Sequence, residues 1–275
     1  MIVSTLAYSG NKRKLWKQIE PLLPQGEVFL DLFMGGGTIS INVVDKYKVV
    51  AGSEIIPQVV EIHESLDKDK NFVKKMIKVN DHYSSDEEGY YKLREDYNVE
   101  PSPTKLLTLV NRSNTNYLRF SGKEKDKFNV PYGKRNHFNL ERLQAHIAHC
   151  KEVDLHEGSY ESLLDLYVSG VEDKGLVIYS DSPYSTTTAT YCEGGKWVSG
   201  NDERLLEKLL TSHNQGAKIV ISNVFENKGV VNYNLIAWCE LHKDKFIVHH
   251  LNRNYNNCSF RKSNQKTDEV LIVSR

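Results

Sequence analysis

Apolar positions along the chain change period twice. Residues 29–33 (FLDLF) form a short apolar run ending in glycines, and residues 49–55 (VVAGSEI) form a second run whose last polar position is Glu54. Both predict buried strands. After Pro57 the spacing turns helical, with Val59, Val60, Ile62, Leu66, Phe72, Val73, Met76 and Ile77 recurring among charged neighbours as far as about Glu100. From about Leu155 the alternation of strand and helix returns. Residues 176–181 (LVIYSD) predict a buried strand running into a Ser-Pro loop. Asn201-Asp202-Glu203 predicts the cap of a helix with Leu205, Leu206, Leu209 and Leu210 on one stripe, and Gly216 marks its end. Further strands are predicted over 218–224, 246–251 and 269–274, with a helix over 233–241. No internal repeat interrupts this order. The pattern predicts an α/β fold, a parallel sheet covered by helices, in which residues 1–57 and 146–275 form one domain and residues 58–145 a largely helical insertion.

Composition narrows the class. A chain of 275 residues, 39% apolar and 26% charged, can bury a large core. Its 36 basic residues are balanced by 36 acidic ones, which excludes a uniformly polybasic nucleic-acid binder. The longest apolar run, Leu235 to Cys239, is five residues, far short of the roughly 20 that a spanning helix needs. The short apolar start leads into Gly10-Asn11-Lys12-Arg13-Lys14 and predicts no secretory signal. Cys150, Cys192, Cys239 and Cys258 form no C-x-x-C pair, so reduced thiols in the cytoplasm are expected. The zero net charge hides a polarised distribution. Residues 81–100 hold seven acids against two bases, a net of −5, whereas residues 119–135 hold six bases against two acids, a net of +4.

The strongest local motif is Asp31-Leu-Phe-Met-Gly35-Gly-Gly37-Thr, because it sets a glycine-rich turn at the carboxyl end of an apolar strand. Ligands of open α/β sheets bind at that edge, and glycine lets the backbone approach them closely. A dinucleotide fingerprint fails because position 40 is Ser40, and a phosphate-binding P-loop fails because no Gly-Lys-Ser/Thr follows. Taken alone, the motif also fits an ordinary strand-to-helix turn.

Its neighbours carry a resemblance. Asp31-Leu-Phe33-x-Gly35-x-Gly37 resembles the S-adenosylmethionine loop of amino-methyltransferases, in which the acid at the end of the next strand, here Glu54, lies against the ribose hydroxyls. Tyr8-Ser9-Gly10-Asn11-Lys12 resembles the Y-x-G-x-K segment of Dam-type DNA adenine methyltransferases, including phage-encoded ones, which folds over the same cofactor. Apart from those neighbours Lys12 reads as a solvated surface lysine. Glu157-Gly158-Ser159-Tyr160 falls where the family has residues beside the cofactor's adenine. Asp181-Ser182-Pro183-Tyr184 resembles the catalytic D-P-P-Y of adenine-N6 enzymes, with serine in place of the first proline, although by itself it is only a turn signal. The adenine amine has its lone pair delocalised into the ring. Asp181 and the carbonyl of Ser182 could accept its two N–H bonds and free the lone pair, and Tyr184 could stack on a base swung out of the duplex.

Residues 111–135 resemble the family's target-recognition hairpin, closing in Phe128-Asn129-Val130-Pro131-Tyr132-Gly133-Lys134-Arg135. The resemblance implies DNA contacts by Asn116, Arg119, Lys123, Lys127, Asn129, Pro131, Tyr132, Lys134 and Arg135. Arg119 would read a base and the lysines would meet phosphates; the bland alternative is a solvated basic hairpin. Further stretches, Lys92 to Asn98, Ser222-Asn223-Val224 and Thr267 to Val270, extend the resemblance over almost the whole chain. It implies a Rossmann-like, α-class methyltransferase domain with a helical target-recognition insertion, acting on double-stranded DNA at GATC or a related site. The expected protein is a monomer or weak dimer on DNA, with its acidic segment turned away from the duplex. A pseudoenzyme that binds DNA and cofactor but lost turnover through Ser182 is the alternative. No metal is expected, since His146-x-x-His149-Cys150 has no second ligand pair and His249 and His250 alternate along a strand. Trp197, Trp238 and the tyrosines read mostly as core or surface packing, with Trp16 and Trp197 the two tryptophans to examine near DNA.

Overall fold

The computed structural model describes residues 1–8, 10–114, 116, 118–121, 126–168, 175–185, 197, 199–252 and 267–275. Along the chain lie α1 (Trp16–Ile19), β1 (Val28–Asp31), α2 (Ser40–Val43), β2 (Val49–Glu54), α3 (Pro57–Lys68), α4 (Phe72–His82), α5 (Glu87–Val99) and α6 (Pro103–Arg112). Next come β3 (Phe120–Ser121), β4 (Lys127–Phe128), α7 (Leu140–Cys150), β5 (Val153–Glu157), α8 (Tyr160–Val168) and β6 (Leu176–Ser180). The chain closes with α9 (Ser199–Asn214), β7 (Lys218–Asn227), β8 (Val230–Val231), α10 (Tyr233–Leu241), β9 (Phe246–Leu251) and β10 (Asp268–Ser274). The fold is Rossmann-like α/β. It divides into two compact units, one of Met1–Lys12, Met34–Lys46 and Ala51–Ser159, the other of Arg13–Phe33, Tyr47–Val50 and Tyr160–Arg275.

In the second unit the strands run in the order β2 (residues 49–50), β1, β6, β7, β10, β9, with β8 beside β7. β1, β6 and β7 are parallel, whereas β10 is antiparallel to both β7 and β9. All five residues of β6 are buried, as expected of a strand covered on both faces. The parallel register sets Asp31 beside Tyr179, and the Leu32 amide donates to the Tyr179 carbonyl at 3.0 Å. The chain segments after β1 and β6 therefore leave the sheet side by side.

The first unit holds β5 beside residues 51–54 of β2, with helices α3 to α7. Their starts follow local chemistry. Pro57 and Pro103 occupy first-turn positions where no N–H is needed. Asp86, Ser102 and Asn139 accept from amides three residues on, which satisfies orphan donors. Each helix buries an apolar stripe, such as Val59, Ile62 and Leu66 of α3 or Tyr90, Leu93 and Tyr97 of α5.

Two expectations need correction. α9 begins at Ser199, so Asn201 is inside its first turn and is not its cap. Trp16 is 3% exposed: α1 turns it into the core, where it cannot meet DNA. Elsewhere the predicted strands and helices recur within a few residues. Among the described residues no helix is long and apolar enough to cross a membrane. Cys150 and Cys239 are buried free thiols, and burial pushes each up to about 12; Cys192 and Cys258 lie outside the described residues.

Candidate active site

The glycine turn belongs to the first unit. Met34 donates its amide to the Ser53 carbonyl at 2.9 Å, and Gly37 donates to the Met34 carbonyl at 2.8 Å. Gly35 and Gly37 have φ of +50° and +71°, values that favour glycine. Gly36 is required for another reason, since a Cβ there would lie 2.8 Å from the Tyr8 Cβ and 2.9 Å from the Leu6 carbonyl oxygen. Gly36→Ala is expected to destabilise the protein by about 1–3 kcal/mol. Urea unfolding checks this, and an unchanged midpoint would show that the segment 6–8 yields at no cost.

Tyr8 lies directly against the turn, its ring carbons 3.1 Å from where a Cβ on Gly35 would be. Asn11 Nδ2 donates to the Tyr8 carbonyl at 2.6 Å, and Lys12 is buried with Nζ donating to the Gly10 carbonyl at 3.1 Å. Burial excludes the solvated-lysine reading of Lys12. Glu54 is also buried, and its carboxylate accepts from the amides of Ile55 and Ile56, each at 2.8 Å, and from that of Gly35. Burial raises its pKa and the amides oppose the rise. The Glu54 carbonyl in turn accepts from Gly158 at 3.0 Å, which fixes the approach to Ser159.

The second unit supplies an aromatic and an acidic group. Phe33 meets Tyr160 at 5.3 Å between centroids and Trp197 edge-on at 5.5 Å. The Trp197 indole donates to Asp202 Oδ1 at 2.6 Å. Burial raises the pKa of Asp202, while hydrogen bonds from Ser185 and Trp197 lower it. Asp202 thereby joins α9 to the residue that follows Tyr184. The sequence predicts a helix cap for Asp202 and points to DNA for Trp197, whereas the structure pairs the two with each other. An Asp five residues after a Trp carries no recognisable signal, because the pairing depends on how the loop folds back.

Asp31 is buried at the end of β1, and Asp181 is half-buried just beyond β6. Both charges, after burial itself, raise the pKa of Tyr179 between them. Asp31 Oδ1 accepts from the Phe33 amide at 3.4 Å, so a carboxylate stands beside the aromatic cluster of Phe33, Tyr160 and Trp197, and such an acceptor fits the ammonium group of S-adenosylmethionine. Ser182 is 3% exposed, and it lines a cavity of about 150 Å³ together with Asp202, Leu206, Ile221 and Asn223. Pro183 and Tyr184 are half-buried beside it.

The basic hairpin stands on α5. Asn98 accepts from the Phe128 amide at 2.8 Å and donates to its carbonyl at 3.1 Å, replacing a missing strand partner. Tyr132 donates to the Ser85 carbonyl at 2.6 Å. Arg119 is exposed, and Asn129 braces it by accepting from Nε at 2.6 Å and from Nη2 at 2.9 Å. Asn116 donates to the Val110 carbonyl at 2.7 Å and accepts from Arg135 at 3.3 Å. Lys127 reaches the Asn98 carbonyl at 2.7 Å and pairs with Asp126 at 3.0 Å. Pro131 and Lys134 are exposed, and Lys134 has φ of +52°. Lys123 and Lys125 lie outside the described residues. Among the described residues no group of three His, Cys, Asp or Glu could hold a metal ion.

In the second unit the parallel strands β1 and β6 end at one sheet edge in Asp31 and in the segment that begins with Asp181, an architecture that Rossmann-like methyltransferases share. Residues 8–257 match the D12 class N6 adenine-specific DNA methyltransferase model, and the chain belongs to that family. Family membership implies S-adenosylmethionine as methyl donor. Among curated proteins the chain is similar to "Type II methyltransferase M.FokI" of Planomicrobium okeanokoites, 31% identical and covering 99% of this chain and 43% of that protein. It is 31% identical to "Modification methylase LlaI" of Lactococcus lactis subsp. lactis, over 87% of this chain and 39% of that protein. The "DNA N-6-adenine-methyltransferase" of Escherichia phage P1 is 26% identical over 80% of this chain and 29% of that protein. The chain thus spans less than half the length of these three relatives.

Proposed function

We propose that the protein transfers a methyl group from S-adenosylmethionine to N6 of adenine in double-stranded DNA. The observation that carries this is the parallel register of β1 and β6, which supports Asp31 and Asp181 acting from the ends of neighbouring strands. S-adenosylmethionine supplies an electrophilic methyl when bound. Residues Tyr8, Asn11, Lys12, Asp31, Phe33, Gly35, Gly37, Glu54, Ser159 and Tyr160 are the candidates to hold it. At the base, Asp181 and the Ser182 carbonyl accept the two amine N–H bonds, drawing nitrogen towards sp³ geometry. The Asp181 charge offsets the positive charge growing on that nitrogen. Tyr184 stacks on the base, and Pro183 restrains the loop between them. Base flipping follows from reach, because N6 is inaccessible to this loop inside a duplex.

GATC is the first site to test, and the cytoplasm, where DNA is accessible, is the proposed location. The protein is incubated with labelled S-adenosylmethionine and duplexes with and without GATC, followed by a methylation-sensitive nuclease. Label in adenine supports the reading. Cofactor and DNA binding without transfer would favour the pseudoenzyme, for which the serine at 182 is the motive. Arg119→Ala should relax preference at one base pair by about 1–3 kcal/mol, measured by competition between single-base variants of the site. Equal weakening on every duplex would make Arg119 a phosphate contact. Because acidic α5 supports the basic hairpin, few phosphates should be engaged and the salt dependence of binding should be shallow.

A further inference from the structure

Two histidines lie beneath the glycine turn and have no part in the chemistry above. His63 on α3 and His146 on α7 are both buried. His63 Nε2 is 2.7 Å from the Gly35 carbonyl oxygen. A carbonyl can only accept, so Nε2 carries the proton and Nδ1 the lone pair. The Thr5 amide, which can only donate, lies 3.1 Å from His146 Nδ1, so in that ring the proton sits on Nε2. The Thr5 hydroxyl is 2.7 Å from the same nitrogen.

What remains is one lone pair, on His63 Nδ1, and one N–H, on His146 Nε2. Both atoms are buried without a hydrogen-bond partner among the described residues. The rings are neighbours, 6.3 Å between centroids and 81° between planes. An orphaned donor and an orphaned acceptor, each costly alone, are therefore complementary. Burial lowers the pKa of both rings, that of His146 to about 3, which favours the neutral form of each.

We propose that His63 and His146 are positioning residues acting as one unit: His146 Nε2–H serves the His63 Nδ1 lone pair through a buried water, and so holds His63 in the tautomer that fixes the Gly35 carbonyl. Gly35 is then gripped twice, its amide by Glu54 and its carbonyl by His63. The arrangement runs from Thr5, three residues before Tyr8, to the turn that Tyr8 packs against. Gly37 adds contact, since a Cβ there would lie 3.2 Å from His63 Cε1. This inference rests on the turn being the S-adenosylmethionine site.

Calorimetric titration with S-adenosylmethionine and ¹⁵N NMR of the histidine rings test it together. His63→Met should raise the Kd about three- to tenfold, the worth of one hydrogen bond, and His63→Gln, which restores a donor, should return it to within about twofold. The wild-type rings should both be Nε2–H tautomers, and His146→Met should leave His63 a mixture. Wild-type affinity in a folded His63→Met protein, or an Nδ1–H tautomer at His63, would overturn the proposal. If His63→Met does not fold, the tautomers decide alone. Failure of the wild type to bind the cofactor would instead sink the reading of the site, and the tautomers would still test the pair.

Discussion

Replacing Asp181 with alanine is expected to lower methyl transfer to duplex DNA by about 10²–10³-fold while S-adenosylmethionine affinity changes by no more than a few fold. The first figure is the usual loss when one preorganised electrostatic contact to a transition state is removed. Asp181 follows a strand buried along its whole length, so its position is set by the sheet and cannot readjust. Single-turnover kinetics with labelled cofactor, beside calorimetry on the same variant, separate the two effects. A loss of cofactor affinity equal to the loss of rate would place Asp181 in cofactor binding and remove it from the role of amine acceptor. Asp181→Asn distinguishes further: it keeps an oxygen acceptor but not the charge, so any activity it retains measures the hydrogen bond alone.

Arg112→Ala is expected to destabilise the fold by about 3–5 kcal/mol, because it leaves three carbonyls and the Asn80 side-chain oxygen without their donor and empties a buried volume. The guanidinium is 0% exposed. Nη1 donates to the carbonyls of Tyr83 and Ser84 at 2.9 and 3.0 Å, and Nη2 to the carbonyl and side-chain oxygen of Asn80 at 3.3 and 3.1 Å. These groups lie at the end of α4, where backbone carbonyls lack helical partners and a cation complements the dipole. Burial lowers the pKa of Arg112, and the carbonyl cage offsets part of the lost hydration, Nε being buried without a partner among the described residues. Arg112 also precedes Ser113, which bridges Tyr132 at the base of the hairpin. Arg112→Lys should recover little, because an ammonium cannot span the same fork of acceptors. Guanidinium unfolding of both variants checks this, and a loss below about 1 kcal/mol for alanine would mean that water replaces the cage without penalty.

Much of the architecture was legible because it is written in local periodicity. The 246–251 strand and the 233–241 helix match the structure residue for residue, β2 and β6 lie within the predicted apolar runs, and β1 begins one residue before its run. The predicted start of α9 falls late because residues with capping propensity, Asn201 and Asp202, sit within the first turn of the helix. There the Asp202 carboxylate is taken by Trp197 and not by a helix amide. Lys12 was ambiguous for a related reason: lysine is usually solvated, and only the fold of residues 8–12 shows that its stem is buried and its ammonium directed to Gly10.

The sequence by itself determined the order of strands and helices, the glycine turn after β1, the acid-led loop after β6 and the basic hairpin, since these depend on period, turn chemistry and motif. Tertiary structure alone decided that Asp31 and Asp181 leave adjacent parallel strands, that Asn98 stands in for a strand partner of Phe128, and that His63, 28 residues beyond Gly35, meets its carbonyl. The division has one physical cause. Periodicity reports which face of an element is buried, whereas strand register and the pairing of buried polar atoms depend on neighbours remote in sequence, selected by the cost of leaving a donor or acceptor unsatisfied.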